Sequence, residues 1–182
     1  MPVLISRQGV LQSPIGSAPL RRRAERMLVA LKLKKAELSV MLCDDSTIHA
    51  LNRTHRRKNK PTDVLAFALG EGEVLPGAEG VLGDVVISID TARRQAAERG
   101  HSLWDEVTLL LAHGLLHLVG YDHRTDAEER RMNARADVLI AAARERRPQR
   151  RTKAVDKAGK AVDERPGTRA AKAAKKLTKQ RK

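Results

Sequence analysis

Aromatic residues are nearly missing from this chain of 182 residues: Phe67, Trp104 and Tyr121 are the whole set. So few rings exclude a sheet that reads RNA by stacking successive bases on aromatic side chains. Cysteine is reduced to Cys43. A lone thiol cannot close an intrachain disulfide, and it suits a reducing compartment. No apolar run approaches the roughly 18 residues that a membrane-spanning helix needs, so no membrane partner is expected. The N-terminus lacks the basic-then-apolar pattern of a secretory signal. Residues 1–24 carry Arg7 and Arg21–Arg23 without an acid, as transit peptides can, but Val3–Val10 reads better as a strand. The expected location is cytoplasmic.

What is present is basic charge, unevenly placed. The formal net charge is +14, from 36 Lys+Arg against 22 Asp+Glu. Residues 144–182 hold 16 basic and 4 acidic residues, whereas residues 1–143 hold 20 and 18. The last segment has Val155, Val162 and Leu177 as its only large aliphatics, and Pro148 and Pro166 interrupt it. It cannot bury enough apolar surface to offset its ordering entropy. The expectation is a domain over 1–143 and a disordered basic tail over 144–182. The tail would tether nucleic acid through phosphates without reading sequence.

The body alternates strand and helix patterns. Val3–Val10 is a short apolar run ended by turn residues. Ser17 can cap a helix on which Leu20, Ala24, Met27, Leu28 and Leu31 recur. Leu38, Val40 and Leu42 alternate as a strand does. Asp44 or Asp45 can cap a helix that places Ile48 and Leu51 on one face. Val64–Leu69 and Val85–Ile89 read as further strands, and residues 70–80 as an exposed loop. A short helix starts near Asp90 or Thr91 and ends at Gly100. Ser102 can cap a long apolar helix, Leu103–Val119, with Glu106 near the capping-box position. A last amphipathic helix covers about Asp126–Ala143. Four strands among about five helices imply one compact α+β domain.

Chemistry concentrates in residues 113–123, His-Gly-Leu-Leu-His-Leu-Val-Gly-Tyr-Asp-His. His113 and His117 are four apart on a helix, so their imidazoles leave one face with Cβ atoms about 5–6 Å apart. Gly120 lets the chain turn sharply, which can return His123 to the same side. Three imidazoles at one point make a zinc site with a position left for water, although nickel or copper also accept imidazole. A lone histidine on an apolar helix is usually a satisfied core residue. Three of six histidines within 11 residues would leave many buried polar groups to satisfy without a shared ion. The same spacing occurs in metzincin proteases, which need Glu after the first His as general base. Gly114 stands there, and glycine transfers no proton. The motif therefore points to hydrolytic zinc chemistry and away from ordinary peptide cleavage.

This motif resembles the signature of the YbeY family of endoribonucleases, described as rRNA maturation factors. Leu51-Asn52 with Arg56, Lys58 and Pro61–Phe67 resembles the family's arginine-containing segment. Gly83–Ser88 resembles its central strand. The resemblance covers about residues 35–140. It implies a small α+β hydrolase with one zinc per chain on His113, His117 and His123, and Arg56 as the functional arginine. It also implies single-strand endoribonuclease activity in rRNA processing and ribosome quality control, with rRNA precursors and ribosomal particles as partners. His55 stands where the family usually has an aromatic residue, Ala66 where it has Ser, and Asn59 where it has Asp. The stretch around Arg135 and Asp137 is less acidic than usual, and residues 144–182 exceed the usual length.

From composition alone Arg56 reads either as a phosphate clamp, since a guanidinium grips two oxygens, or as part of a solvated basic loop. Asp122 could orient a ligand imidazole or belong to the turn. Asp63 and Asp84 could be acceptors near the metal, proton shuttles or structural caps. The attacking group could be water activated at the metal or the neighbouring ribose 2′-OH. Two other classes fit the residues: a metallohydrolase of another substrate, peptides included, and a non-catalytic ribosome-assembly factor with structural zinc.

Overall fold

The computed structural model describes residues 3–10, 12–69, 80–122 and 124–144. In chain order they form β1 (Val3–Gln8), α1 (Ser17–Ala30), β2 (Glu37–Cys43), α2 (Asp45–Arg56), β3 (Val64–Ala68), β4 (Val81–Ser88), α3 (Ile89–Arg99), α4 (Leu103–Leu118) and α5 (Asp126–Arg144). The described residues thus hold the four strands and five helices expected of an α+β domain. The expected loop over 70–80, apart from Gly80, and the expected tail over 144–182, apart from Arg144, which ends α5, lie outside them.

The sheet order is β1-β2-β4-β3. β1, β2 and β4 run parallel, and β3 is antiparallel to β4 along one edge. Side chains alternate between faces with period two. Leu38, Val40 and Leu42 of β2 and Val85 and Ile87 of β4 enter the main core with Leu20, Met27, Leu111, Leu115 and Leu139 from α1, α4 and α5. Among the described residues the opposite face buries a small cluster, Cys43, Leu65 and Val86 with Ile48 of α2. The Cys43 thiol is pushed up to about 12 by burial and by Asp44, Asp45 and Asp90 nearby, so it is an inert apolar side chain.

Local chemistry explains the element ends. Asp44 caps α2 by accepting from the Thr47 amide at 2.9 Å. Ser102 caps α4 by accepting from the Asp105 amide at 3.1 Å. Two capping expectations are corrected. The N-cap of α1 is Gly16 rather than Ser17, and no side chain caps it. Glu106 does not turn back to Ser102; it is fully buried and accepts from Arg99 and His101. Those two bonds fasten the end of α3 to the start of α4. Gly83 has φ +136°, and a Cβ there would collide with the Phe67 carbonyl. Glycine is needed at that point, opposite the register shift between Glu37 and Leu38.

Candidate active site

Helix α4 carries the first two histidines because it lies flush on the sheet. A Cβ on Gly114 would sit 2.6 Å from Val85 Cγ1 and 3.3 Å from Val64 Cγ2. Only a residue without a side chain allows this approach. At about 100° per residue, His113 and His117 share one flank of the helix, beside the buried strip that faces the sheet. Both are half-buried, whereas Ala112, Leu115 and Leu116 on the other flank are fully buried. The position that would carry a metzincin base is therefore pressed into the core. A glutamate has no room there.

Each imidazole is oriented by the backbone. His113 Nδ1 lies 3.0 Å from the Leu109 carbonyl, and His117 Nδ1 lies 3.0 Å from the Tyr121 carbonyl. A carbonyl only accepts, so Nδ1 donates in both rings, and Nε2 is the nitrogen that a neutral ring has to offer a metal. This is the hydrogen-bonding pattern that presents Nε2 to a divalent metal. The donor set therefore fits zinc as far as two ligands. The third expected ligand, His123, lies outside the described residues. Among the described residues no three His, Cys, Asp or Glu side chains gather to hold a metal.

Arg56 approaches from the other side of the sheet. It is the last residue of α2, and Arg57 follows as a left-handed cap with φ 55°. The bonds Ser88 N–H to Asp63 O (2.9 Å) and Leu69 N–H to Leu82 O (3.4 Å) set the pairing phase of β3 with β4. In that phase Val64, Ala66 and Ala68 turn their N–H and C=O groups outward along the edge. Arg56 Nη2 donates to the Ala66 carbonyl at 3.1 Å, so the guanidinium is held at that edge. The helix α4 covers β3 and β4 on one face, and α2 covers them on the other. The histidines and Arg56 thus belong to elements that meet at β3, on opposite faces of it.

The basic run after α2 is a built loop. Buried Asn52 donates from Nδ2 to the Lys60 carbonyl at 2.7 Å. Its own carbonyl accepts from the amides of Arg57 and of Lys58. His49 donates to Asn59 Oδ1 at 2.9 Å. Arg53, Arg56, Arg57, Lys58 and Lys60 are all exposed around this clip. Asn52 was not among the sequence candidates. Its signal was a polar side chain four residues after Ile48, on the apolar face of α2. The departures from family pattern also find their places. His55 packs edge-on against Phe67 with centroids 5.1 Å apart. Ala66 meets Arg56 through its backbone, so its side chain is immaterial to that bond.

The carboxylates divide. Asp63 is structural: it accepts from the Val64 amide at 2.8 Å, from the Thr62 hydroxyl at 3.2 Å and from Gln95 at 3.0 Å. Asp122 pairs with Arg124 at 2.6 Å. Asp84 stands on the sparsely covered face of the sheet, between Ser39 of β2 and Phe67 of β3.

A four-stranded mixed sheet, an apolar helix bearing paired histidines and an arginine held at the edge strand define a small α+β protein. The model of the family described as endoribonuclease YbeY matches residues 14–144, and the chain belongs to that family. A curated relative from Geobacter metallireducens, named endoribonuclease YbeY, is 46% identical over 130 residues, covering 70% of this chain and 87% of the relative. The protein of the same name from Aquifex aeolicus is 54% identical over 110 residues, covering 60% and 71%. The solution structure of a Thermotoga maritima protein aligns with TM-score 0.56 and 26% identity, covering 78% of this chain and 88% of that one. No helix of the described residues is long and apolar enough to cross a membrane.

Proposed function

We propose that this protein is a zinc-dependent endoribonuclease that cuts single-stranded RNA, acting on rRNA precursors and ribosomal particles in the cytoplasm. The observation that carries the reading is the paired histidine flank of α4, each Nδ1–H committed to a carbonyl, with Arg56 anchored at the adjoining strand edge. The names of the relatives support the RNA substrate. His113 and His117, with His123 as the third ligand, would hold one zinc ion. When bound there, zinc supplies a Lewis acid for a phosphoryl oxygen and acidifies water.

The chain's own residues do the rest. The exposed cations Arg53, Arg57, Lys58 and Lys60 draw the phosphate backbone to the β3 edge. Arg56 donates to the phosphoryl oxygens and stabilises the charge that develops on them. Its bond to the Ala66 carbonyl fixes the guanidinium before substrate arrives, which lowers the cost of ordering it. The tail over 144–182 adds sequence-independent phosphate contacts, and truncation after Ala143 is expected to flatten the salt dependence of RNA binding. Peptide hydrolysis is the weaker reading, because the metzincin base position is Gly114, sealed against Val85.

The test is cleavage of an unstructured RNA and of casein by the purified full chain, with and without a chelator. RNA cleavage lost on chelation and restored by zinc is expected, with casein intact. Casein cleavage without RNA cleavage would overturn the proposal.

A further inference from the structure

Among the described residues the face of the sheet opposite the main core is only partly covered, and the uncovered part holds a groove of about 380 Å³. Ser6, Ser39, Met41, Asp84, Val86 and Phe67 line its floor, and Leu51 and His55 of α2 form its wall. The strand registers place Ser39, Asp84 and Phe67 side by side on three neighbouring strands. Neighbouring strands lie about 4.8 Å apart, so an aromatic ring and a carboxylate stand next to each other. The ring is braced from the side by His55. The Asp84 carboxylate is half-buried, and no described residue bonds to it. A carboxylate lining the groove can accept from a ligand that offers donors. His55 directly precedes Arg56, so the groove opens beside the proposed phosphate contact.

We infer that this groove is a nucleobase subsite that takes one guanine of the RNA chain whose phosphate Arg56 holds. The inference rests on the RNA reading of the site and names a part of its substrate. The base stacks on the Phe67 ring, and its pairing edge turns towards Asp84. Guanine presents two parallel donors, N1–H and an N2 hydrogen, to the two carboxylate oxygens. Adenine and cytosine place a ring acceptor beside their amino group, which a carboxylate repels. Uracil offers one donor between two carbonyls. Ser6 and Ser39 supply hydroxyls on the floor for the remaining polar atoms of the base or ribose. The exposed cations Arg53, Arg56 and Arg57 at the end of α2 favour a polyanion over a cationic protein segment. One ring and one acceptor make a single-base subsite, in keeping with a chain that has too few aromatics to stack several bases.

The experiment titrates the full chain with the 5′-monophosphates of guanosine, adenosine, cytidine and uridine, reading the Phe67 ring and His55 imidazole resonances by NMR. A lysine-rich peptide is titrated in parallel. Guanosine monophosphate should bind on the order of tenfold tighter than the others, as expected for a bidentate base contact. Asp84→Asn keeps the side-chain shape and should abolish the preference, while Phe67→Leu should weaken all four nucleotides. Equal response to all four nucleotides, or response to the peptide alone, would overturn the inference. Should Phe67→Leu not fold, Asp84→Asn decides by itself, and an unchanged guanine preference in it counts against the subsite. Neither binding readout needs zinc or turnover. RNA cleavage with no guanine preference therefore sinks the subsite alone, and guanine binding without any RNA cleavage sinks the endoribonuclease reading.

Discussion

The two faces of the sheet are built for different ends. On one, α1, α4 and α5 seal Leu38, Val40, Leu42, Val85 and Ile87 into a continuous apolar core. On the other, α2 packs its Ile48 on Cys43, Leu65 and Val86, and among the described residues it leaves the groove with Asp84 uncovered. The sealed face holds the fold together. The open face and the β3 edge carry exposed cations, a carboxylate to which no described residue bonds and a clipped loop, features that present chemistry to solvent. Helix α4 belongs to both regimes. One flank is packed core, and the other displays the histidines.

The largest expected effect tests that dual role. Gly114→Glu would restore the metzincin pattern on paper. Its Cβ would meet Val85 Cγ1 at 2.6 Å, and its carboxylate would be driven into the apolar layer. Overpacking and burial of an unpaired charge together should cost roughly 3 kcal/mol or more. Denaturant unfolding should show a collapse of stability, with no gain of peptidase activity. A stable, soluble Gly114→Glu protein would mean that α4 sits farther from the sheet than described. His117→Ala acts on the other flank. It should remove most of the zinc bound per chain, measured by atomic emission, and with it RNA cleavage. Full zinc occupancy in that variant would remove His117 from the ligand set.

Arg56→Ala comes next and separates the strand edge from the core. Arg56 is exposed, and its one hydrogen bond among the described residues is to the Ala66 carbonyl, so zinc content and melting temperature should stay near wild type. Loss of one transition-state contact worth about 3 kcal/mol would slow single-turnover cleavage on the order of a hundredfold. Arg56→Lys should recover part of it, because an ammonium lacks the planar fork. Wild-type cleavage by Arg56→Ala would make the residue a surface charge only.

The sealed face was the more legible in sequence, and the reason is periodicity. Leu38, Val40 and Leu42 alternate, and the leucines of α4 recur at helical spacing, so elements and core follow from pattern alone. The histidine pair was legible because spacing on one helix needs no tertiary knowledge. Partners supplied by the backbone were not. The carbonyls of Leu109 and Tyr121 that orient the imidazoles have no side-chain signature. The contact of Arg56 with Ala66 depends on which residues of β3 face outward, a phase set by pairing with β4. Glu106 looked like a capping residue because its local spacing fits one. Burial with Arg99 and His101 prevailed over that local option, as charge-assisted bonds to a buried carboxylate do.

A smaller effect is expected at Asn52, which clips the basic loop to α2. Asn52→Ala removes the donor to the Lys60 carbonyl and should destabilise the protein by about 1–2 kcal/mol. Loosening the loop should also raise KM for RNA more than it lowers kcat, because the loop cations gather substrate. Asn52→Asp keeps the shape but not the donor, so it should not rescue KM. An equal KM in wild type and Asn52→Ala would confine the residue to stability.

The smallest effect lies where α2 and α3 meet at the strand ends. Asp45 accepts from the Ser88 hydroxyl at 2.5 Å and the Thr91 hydroxyl at 2.7 Å, and pairs with Arg94 at 2.7 Å. Burial alone would raise its pKa. The hydrogen bonds from Ser88, Thr91 and Arg94 outweigh that and hold it below the ordinary value of 3.8. A carboxyl depressed in the folded state adds stability that is fully present above the unfolded value and is lost as pH falls through the folded one. Arg94 is 56% exposed, so solvent screens the pair and its share is under about 1 kcal/mol. Asp45→Asn should therefore be slightly less stable than wild type at neutral pH, with the gap closing as pH drops below about 4. Asp44 and Asp105 are also held low, but they titrate alike in both proteins and cancel in the difference. Urea midpoints of the two proteins between neutral and acid pH measure the gap. A gap that stays constant into acid would assign the linkage to another carboxylate. A gap that closes would show that the junction between the sealed and open faces is held partly by ionised Asp45, and loosens on its protonation before the apolar core does.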